Sequence, residues 1–135
     1  MQRDIRLARL LHVLIHMHLR GGTTTSETIA LMLHTNPVLV RRTMAALRQA
    51  GYVHSVPGPG GGWALSCELD QLTARDIYIA IEHRGLFAIG LAEDNLSCPV
   101  ESAVNRVLDN AMTSAEAAWL SSLEEVRLSE IAKSI

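Results

Sequence analysis

Residues 36–65 read NPVLVRRTMAALRQAGYVHSVPGPGGGWAL, and two kinds of local order succeed one another within them. Asn36-Pro37 sets a capping side chain ahead of a proline, whose fixed φ and missing N–H suit the first helical position. Val40, Met44 and Leu47 then recur at i, i+4 and i+7, which predicts a helix over residues 37–50 with one buried face. Val38, Arg41, Arg42, Ala45, Arg48 and Gln49 fall on the other face. Gly51 stands where a helix stop asks for a left-handed residue. Past it the pattern becomes that of two short strands, residues 52–56 and 63–65, joined by Pro57-Gly58-Pro59-Gly60-Gly61-Gly62. A glycine-rich turn between two short strands, directly after a helix, is a wing.

Working backwards, Thr25 or Ser26 caps a short helix over residues 27–33, with Ile29, Ala30 and Leu33 at helical spacing. A turn through His34-Thr35-Asn36 leads to the next helix. Residues 4–20 form a further helix, apolar on nearly every side and so expected to be widely buried, which Gly21-Gly22 ends. The order helix, short helix, turn, helix, hairpin is that of a winged helix-turn-helix. Working forwards, Thr73-Ala74-Arg75-Asp76 is a capping box with Asp in place of the usual Glu or Gln, opening a helix over residues 73–82. Residues 85–98 read as irregular. Pro99 opens a long helix over residues 99–122, on which Val100, Val104, Val107, Ala111, Ala115, Ala118 and Ser122 make a stripe suited to a partner helix. A short helix over residues 128–132 closes the chain. The expected fold is mainly α with a small β wing, a winged helix-turn-helix over residues 1–83 followed by a loop and dimerisation helices over residues 84–135.

The chain has 135 residues, 48% of them hydrophobic, which is ample for a core and leaves a surplus that a subunit interface would absorb. The run from Leu10 to Leu19 is too short for a bilayer span and is broken by His12, His16 and His18. Asp4 and the missing cleavage site argue against a signal peptide, so a cytoplasmic location is expected, with no membrane partner. The net charge of −2 conceals an asymmetry: residues 1–65 carry seven arginines against Asp4 and Glu27, a net +5, whereas residues 66–135 carry five basic and twelve acidic side chains, a net −7. Phosphate backbones respond to a local basic face, so the first half is the candidate for double-stranded DNA.

On the third helix Arg41 and Arg42 sit where guanidinium groups can clamp phosphates or read guanine edges. Arg48 lies near the helix end, where it can instead pair with a neighbouring acid. The four wing glycines are not a phosphate cradle, since such a loop follows a buried parallel strand and opens a helix. Trp63 is expected to anchor the wing, with base stacking secondary. His12 and His16 share a helix face at metal-ligand spacing but lack a third ligand nearby, and a partly buried structural role is the better account. Cys67 and Cys98 are too few for a disulfide framework and wrongly spaced for a zinc finger. Cys98 precedes Pro99 at the start of the long helix, where the helix dipole favours an anion, and is a redox candidate; inert packing is the equal alternative. No nucleophile–base pair, paired carboxylates or cofactor loop points to an enzyme.

The stretch Leu47-Arg48-Gln49-Ala50-Gly51-Tyr52-Val53, continued by Ser55-Val56-Pro57-Gly58-Pro59-Gly60-Gly61-Gly62-Trp63-Ala64-Leu65, resembles the Rrf-two family of bacterial winged-helix repressors. Leu72-Thr73-Ala74-Arg75-Asp76-Ile77 and Cys98-Pro99-Val100 resemble the family's post-wing helix and its approach to the dimerisation helix. The resemblance implies a dimeric, sequence-specific transcriptional regulator on an inverted-repeat operator, with Asn36, Val38, Arg41, Arg42, Arg48, Gly60 and Gly61 at the DNA. It also brings two departures. Pro57 stands where members usually carry a basic wing residue that would enter the minor groove. Cluster-binding members present three closely spaced cysteines before the long helix, and here Cys98 stands alone, so no iron–sulfur cluster or other cofactor is expected. The competing reading is a winged-helix interaction adaptor that no longer binds DNA, working through its acidic half.

Overall fold

The computed structural model describes residues 3–81, 86 and 89–135. The described elements run, in chain order, α1 (Arg6–Arg20), α2 (Ser26–Leu33), α3 (Pro37–Gln49), β1 (Val53–Val56), β2 (Gly62–Leu65), a 3₁₀ turn (Leu69–Gln71), α4 (Ala74–Ala80), α5 (Pro99–Glu124) and α6 (Leu128–Lys133). The element order matches the expectation, and the differences are at the ends. α1 starts at Arg6 because Asp4 accepts the Arg6 backbone N–H at 3.0 Å and holds the chain outside the helix. α4 stops at Ala80, with Ile81 already extended; Glu82, the expected last residue, lies outside the described residues. α5 runs two residues past Ser122.

One core joins these elements. Leu10, Val13, Leu14 and Met17 of α1 meet Ile29 of α2, Val40, Met44 and Leu47 of α3, Val53, Trp63 and Ile77. Consecutive burial of Val13, Leu14 and Ile15 reflects the wide apolar face of α1, although His12, His18 and Leu19 remain exposed. Met44 and Leu47 are fully buried, and truncating either to Ala would cost about 2–5 kcal/mol. The capping box at Thr73 is present: the Asp76 N–H donates to Thr73 Oγ1 at 3.2 Å, and the Thr73 N–H donates to Asp76 Oδ2 at 2.9 Å.

The chain returns to this core after the long helix. The Ala74 N–H donates to the Val126 carbonyl at 2.9 Å, and the Leu128 N–H to the Leu72 carbonyl at 3.0 Å. Arg127 Nη1 donates to the Asp70 carbonyl at 2.8 Å, and Leu128 is fully buried with Leu10 and Leu14. Thus α6, assigned from sequence to the second unit, adds to the core built by the first; the boundary expected between residues 83 and 84 lies outside the described residues. α5 meets the rest of the chain chiefly through α4, where Tyr78 and Trp119 are edge to face at 6.2 Å and Arg75 pairs with Glu124 at 3.1 Å.

Candidate nucleic-acid interface

The turn between α2 and α3 is set by two caps. The Thr28 N–H donates to Thr25 Oγ1 at 3.1 Å at the start of α2, and the Leu39 N–H donates to Asn36 Oδ1 at 3.0 Å at the start of α3. Between them His34 takes a left-handed conformation, φ 54°, and the Thr35 N–H reaches the Ala30 carbonyl at 2.9 Å. With Val40, Met44 and Leu47 turned inward, α3 presents its opposite face to solvent. Val38 is 63% exposed there, an apolar group of the kind that meets thymine methyls. Arg41, Arg42 and Arg48 are exposed. Arg41 meets Glu27 at 3.5 Å, a surface pair of small energy, about 0–1 kcal/mol. Arg42 and Arg48 have no ion pair or side-chain hydrogen bond among the described residues, so the acid anticipated beside Arg48 is not there. Asn36 is primarily a cap, its amide oxygen already used.

The wing is an antiparallel hairpin pairing Val53 with Leu65 and Val56 with Gly62. Its turn closes with the Gly61 N–H donating to the Gly58 carbonyl at 2.9 Å. A Cβ on Gly61 would run into the carbonyls of Val56 and Gly58, so that position is fixed by the turn itself. Pro57 and Gly60 are exposed at the tip. The segment before α2 ties the wing down: Thr23 Oγ1 donates to the Gly60 carbonyl at 2.7 Å, and Thr24 forms a backbone bridge with Trp63. Trp63 is buried, its Nε1 donating to Ser26 Oγ at 3.0 Å, so it anchors and does not stack on bases. The tie through Thr23 and Thr24 escaped the sequence reading, since a run of threonines after two glycines carries no pairing signal.

Before α5 the chain is pinned to the helix by side chains. The Ala92 N–H donates to Asn105 Oδ1 at 3.1 Å, while Asn105 Nδ2 donates back to the Ala92 carbonyl at 2.9 Å. The Glu101 carboxylate accepts the N–H groups of Asp94 at 3.0 Å and Asn95 at 3.0 Å. Sequence reading singled out neither Glu101 nor Asn105. Cys98 is the N-cap of α5 and half-buried, its N–H on the Asn95 carbonyl at 3.0 Å. Cys67, also half-buried, lies beyond β2, where burial first and then the charges of Asp76 and Glu68 push its thiol pKa up.

His12 is exposed, not partly buried as expected, and its ring lies 4.7 Å from that of His16. Among the described residues no three His, Cys, Asp or Glu side chains gather in a way that could hold a metal ion. Around Cys98 the nearby carboxylate of Glu101 is occupied by backbone N–H groups. No described helix is long and apolar enough to cross a membrane.

Comparison with known proteins matches residues 4–134 to the Rrf2 model, described as that of iron-dependent transcriptional regulators. Bacillus subtilis YwgB, named provisionally as a helix-turn-helix transcriptional regulator, is 33% identical over 82% of this chain and 69% of its own. YwnA of the same organism, named likewise, is 30% identical over 93% of both chains. Among solved structures, the global cysteine regulator CymR of Bacillus subtilis superposes with a TM-score of 0.68 at 23% identity, over 100% of this chain and 98% of that one.

Proposed function

This chain belongs to the Rrf2 family of DNA-binding transcriptional regulators, and on that footing we propose that it is a cytoplasmic homodimeric repressor, without enzymatic activity, that reads an inverted repeat with α3 of each copy. The observation that carries this reading is the outward face of α3, which carries exposed Val38, Arg42 and Arg48, the two guanidinium groups having no partner among the described residues. Uncompensated guanidinium groups on a capped, rigid helix are suited to phosphates and base edges. Asn36 and the wing backbone at Gly60 and Gly61 complete the proposed interface, with Pro57 leaving specificity mainly to α3.

Dimerisation would use α5. None of its 26 residues is buried within the chain, and Val100, Val104 and Val107 are at least half exposed on the stripe read from sequence. A helix of that length owes its stability to an apolar face that packs. A second copy supplies such a face and sets two recognition helices about one helical turn or more apart. Sensing would rest on the Cys98 thiol and not on a cluster.

Mobility shift on DNA from the protein's own promoter region tests the reading. Arg41→Ala with Arg42→Ala should weaken binding and lower the salt slope by about one unit per lost phosphate contact. Unchanged affinity and slope would remove α3 from the interface.

A further inference from the structure

Where the start of α1, one side of α3 from Leu39 to Gln49 and the end of α4 meet, they leave a pocket of about 400 Å³. Among the described residues Leu10, Leu39, Ala46 and Ile81 give it an apolar lining, and Arg6, Arg9 and Arg42 line it as well. Arg6 is held by Asp4 at 2.7 Å. Arg9 and Arg42 have no ion pair or hydrogen-bonding side chain among the described residues. The volume is within the range of small-molecule sites, which run from about 300 to 1,000 Å³ and combine apolar walls with a few polar groups that orient the ligand.

We propose that this pocket takes a small amphipathic carboxylate, a medium-chain or aromatic acid, and that its occupation releases DNA by engaging Arg42. The charge argument selects an anion, because Arg9 and Arg42 have no compensating acid among the described residues. The lining selects an anion with an apolar body, since a bare phosphate would leave the part-exposed Leu39, Ala45, Ala46 and Ala80 uncovered and gain nothing from them. Arg42 cannot serve the ligand's carboxylate and a DNA phosphate at once. Ligand and DNA therefore exclude one another, and by linkage each weakens the other by the same factor. This coupling rests on the assignment of α3 to DNA; the pocket does not.

The experiment separates the two. Octanoate is titrated into the full chain by calorimetry, beside octanol, which has the tail without the charge, and inorganic phosphate, which has the charge without the tail. Octanoate should bind at least about tenfold more tightly than either, a difference of about 1.4 kcal/mol. Arg9→Gln should weaken octanoate about tenfold while leaving ligand-free DNA affinity unchanged, and Ala46→Phe should block the pocket without lowering the melting temperature. Octanoate at ten times its wild-type dissociation constant should then weaken DNA binding about tenfold in the wild type and only about twofold in Arg9→Gln. Octanol or phosphate binding as well as octanoate would overturn the proposal, as would absence of octanoate binding. Loss of DNA affinity in ligand-free Arg9→Gln would assign the arginines to DNA and overturn it too. A wild type that binds octanoate but no DNA would sink the α3 assignment while sustaining the pocket.

Discussion

Thr24 and Trp63 exchange both backbone hydrogen bonds, Thr24 N–H to the Trp63 carbonyl at 2.9 Å and Trp63 N–H to the Thr24 carbonyl at 2.8 Å. The wing is thereby a third short pairing away from being a mere hairpin, and its angle to α2 is set by the chain that enters α2. An isolated two-stranded hairpin is marginal in water; this one is held by the bridge and by the buried indole.

That close approach depends on Gly62. A Cβ there would lie 2.7 Å from the Thr24 carbonyl oxygen, at a φ of 143° that side chains rarely adopt. Gly62→Ala should therefore destabilise the protein by at least about 1–3 kcal/mol and weaken DNA binding through a displaced wing. Thermal melting and mobility shift measure the two effects, and a variant that melts with the wild type would show that the bridge yields.

The α5 stripe gives the second prediction. Val104→Glu with Ala111→Glu places charges on two exposed stripe positions, so the folded monomer should survive while sedimentation velocity reports loss of the dimer. A dimer retained by this variant would move the interface off the stripe.

For the thiols, mild peroxide should transfer an oxygen to Cys98, giving a sulfenic acid with loss of hydroxide, and should abolish DNA binding in the wild type but not in Cys98→Ser. Cys67, its pKa raised by burial and by Asp76, should label with a disulfide reagent more slowly than an ordinary free thiol at pH 8. Equal peroxide responses in wild type and Cys98→Ser would leave Cys98 as packing.

The fourth prediction concerns alkaline pH. Both tyrosines of the chain are raised from 10.0, Tyr52 by burial and then Asp76, Tyr78 by burial and then Glu116, to which its hydroxyl donates at 3.4 Å. Groups raised on folding stabilise the protein fully below their ordinary value, and that contribution is lost as pH climbs through the raised one. Absorbance at 295 nm should show no tyrosine ionising at 10.0 or below in the folded protein, and Glu116→Gln should bring Tyr78 back towards 10.0. A step at 10.0 in the native protein would contradict the burial described for both rings.

What the sequence disclosed and what it withheld differ in physical kind. Asn36-Pro37, the 3.6 period of Val40, Met44 and Leu47, and the glycines of the wing are local signals, each read from a few adjacent residues, and they placed α3 and the hairpin to within a residue or so. The Thr24–Trp63 bridge, the return of Leu128 to the core and the grip of Glu101 and Asn105 on residues 92–95 are pairings between distant segments or side chains of ordinary polarity. They leave no periodicity behind. Arg9 shows the same limit at the site: one of seven arginines in the first half by sequence, it is singled out only by the cleft it lines.

The two ends of α5 are not equivalent. Its C-terminal end is bolted to the DNA-binding half by Arg75–Glu124, by the backbone bonds flanking Val126 and by buried Leu128. Its other end carries residues 92–98, which are fastened to the helix itself through Glu101 and Asn105 and so travel with it. The helix is then a lever about 39 Å long, at roughly 1.5 Å per residue, with its pivot beside α4 and Cys98 at its tip. A tilt of about 10° at the pivot sweeps the tip through about 7 Å, roughly two base-pair steps of 3.4 Å. Under the sensing proposed for Cys98, a push of small force and long travel at the tip would reach α4, and through α4 the recognition helix, with greater force and shorter travel.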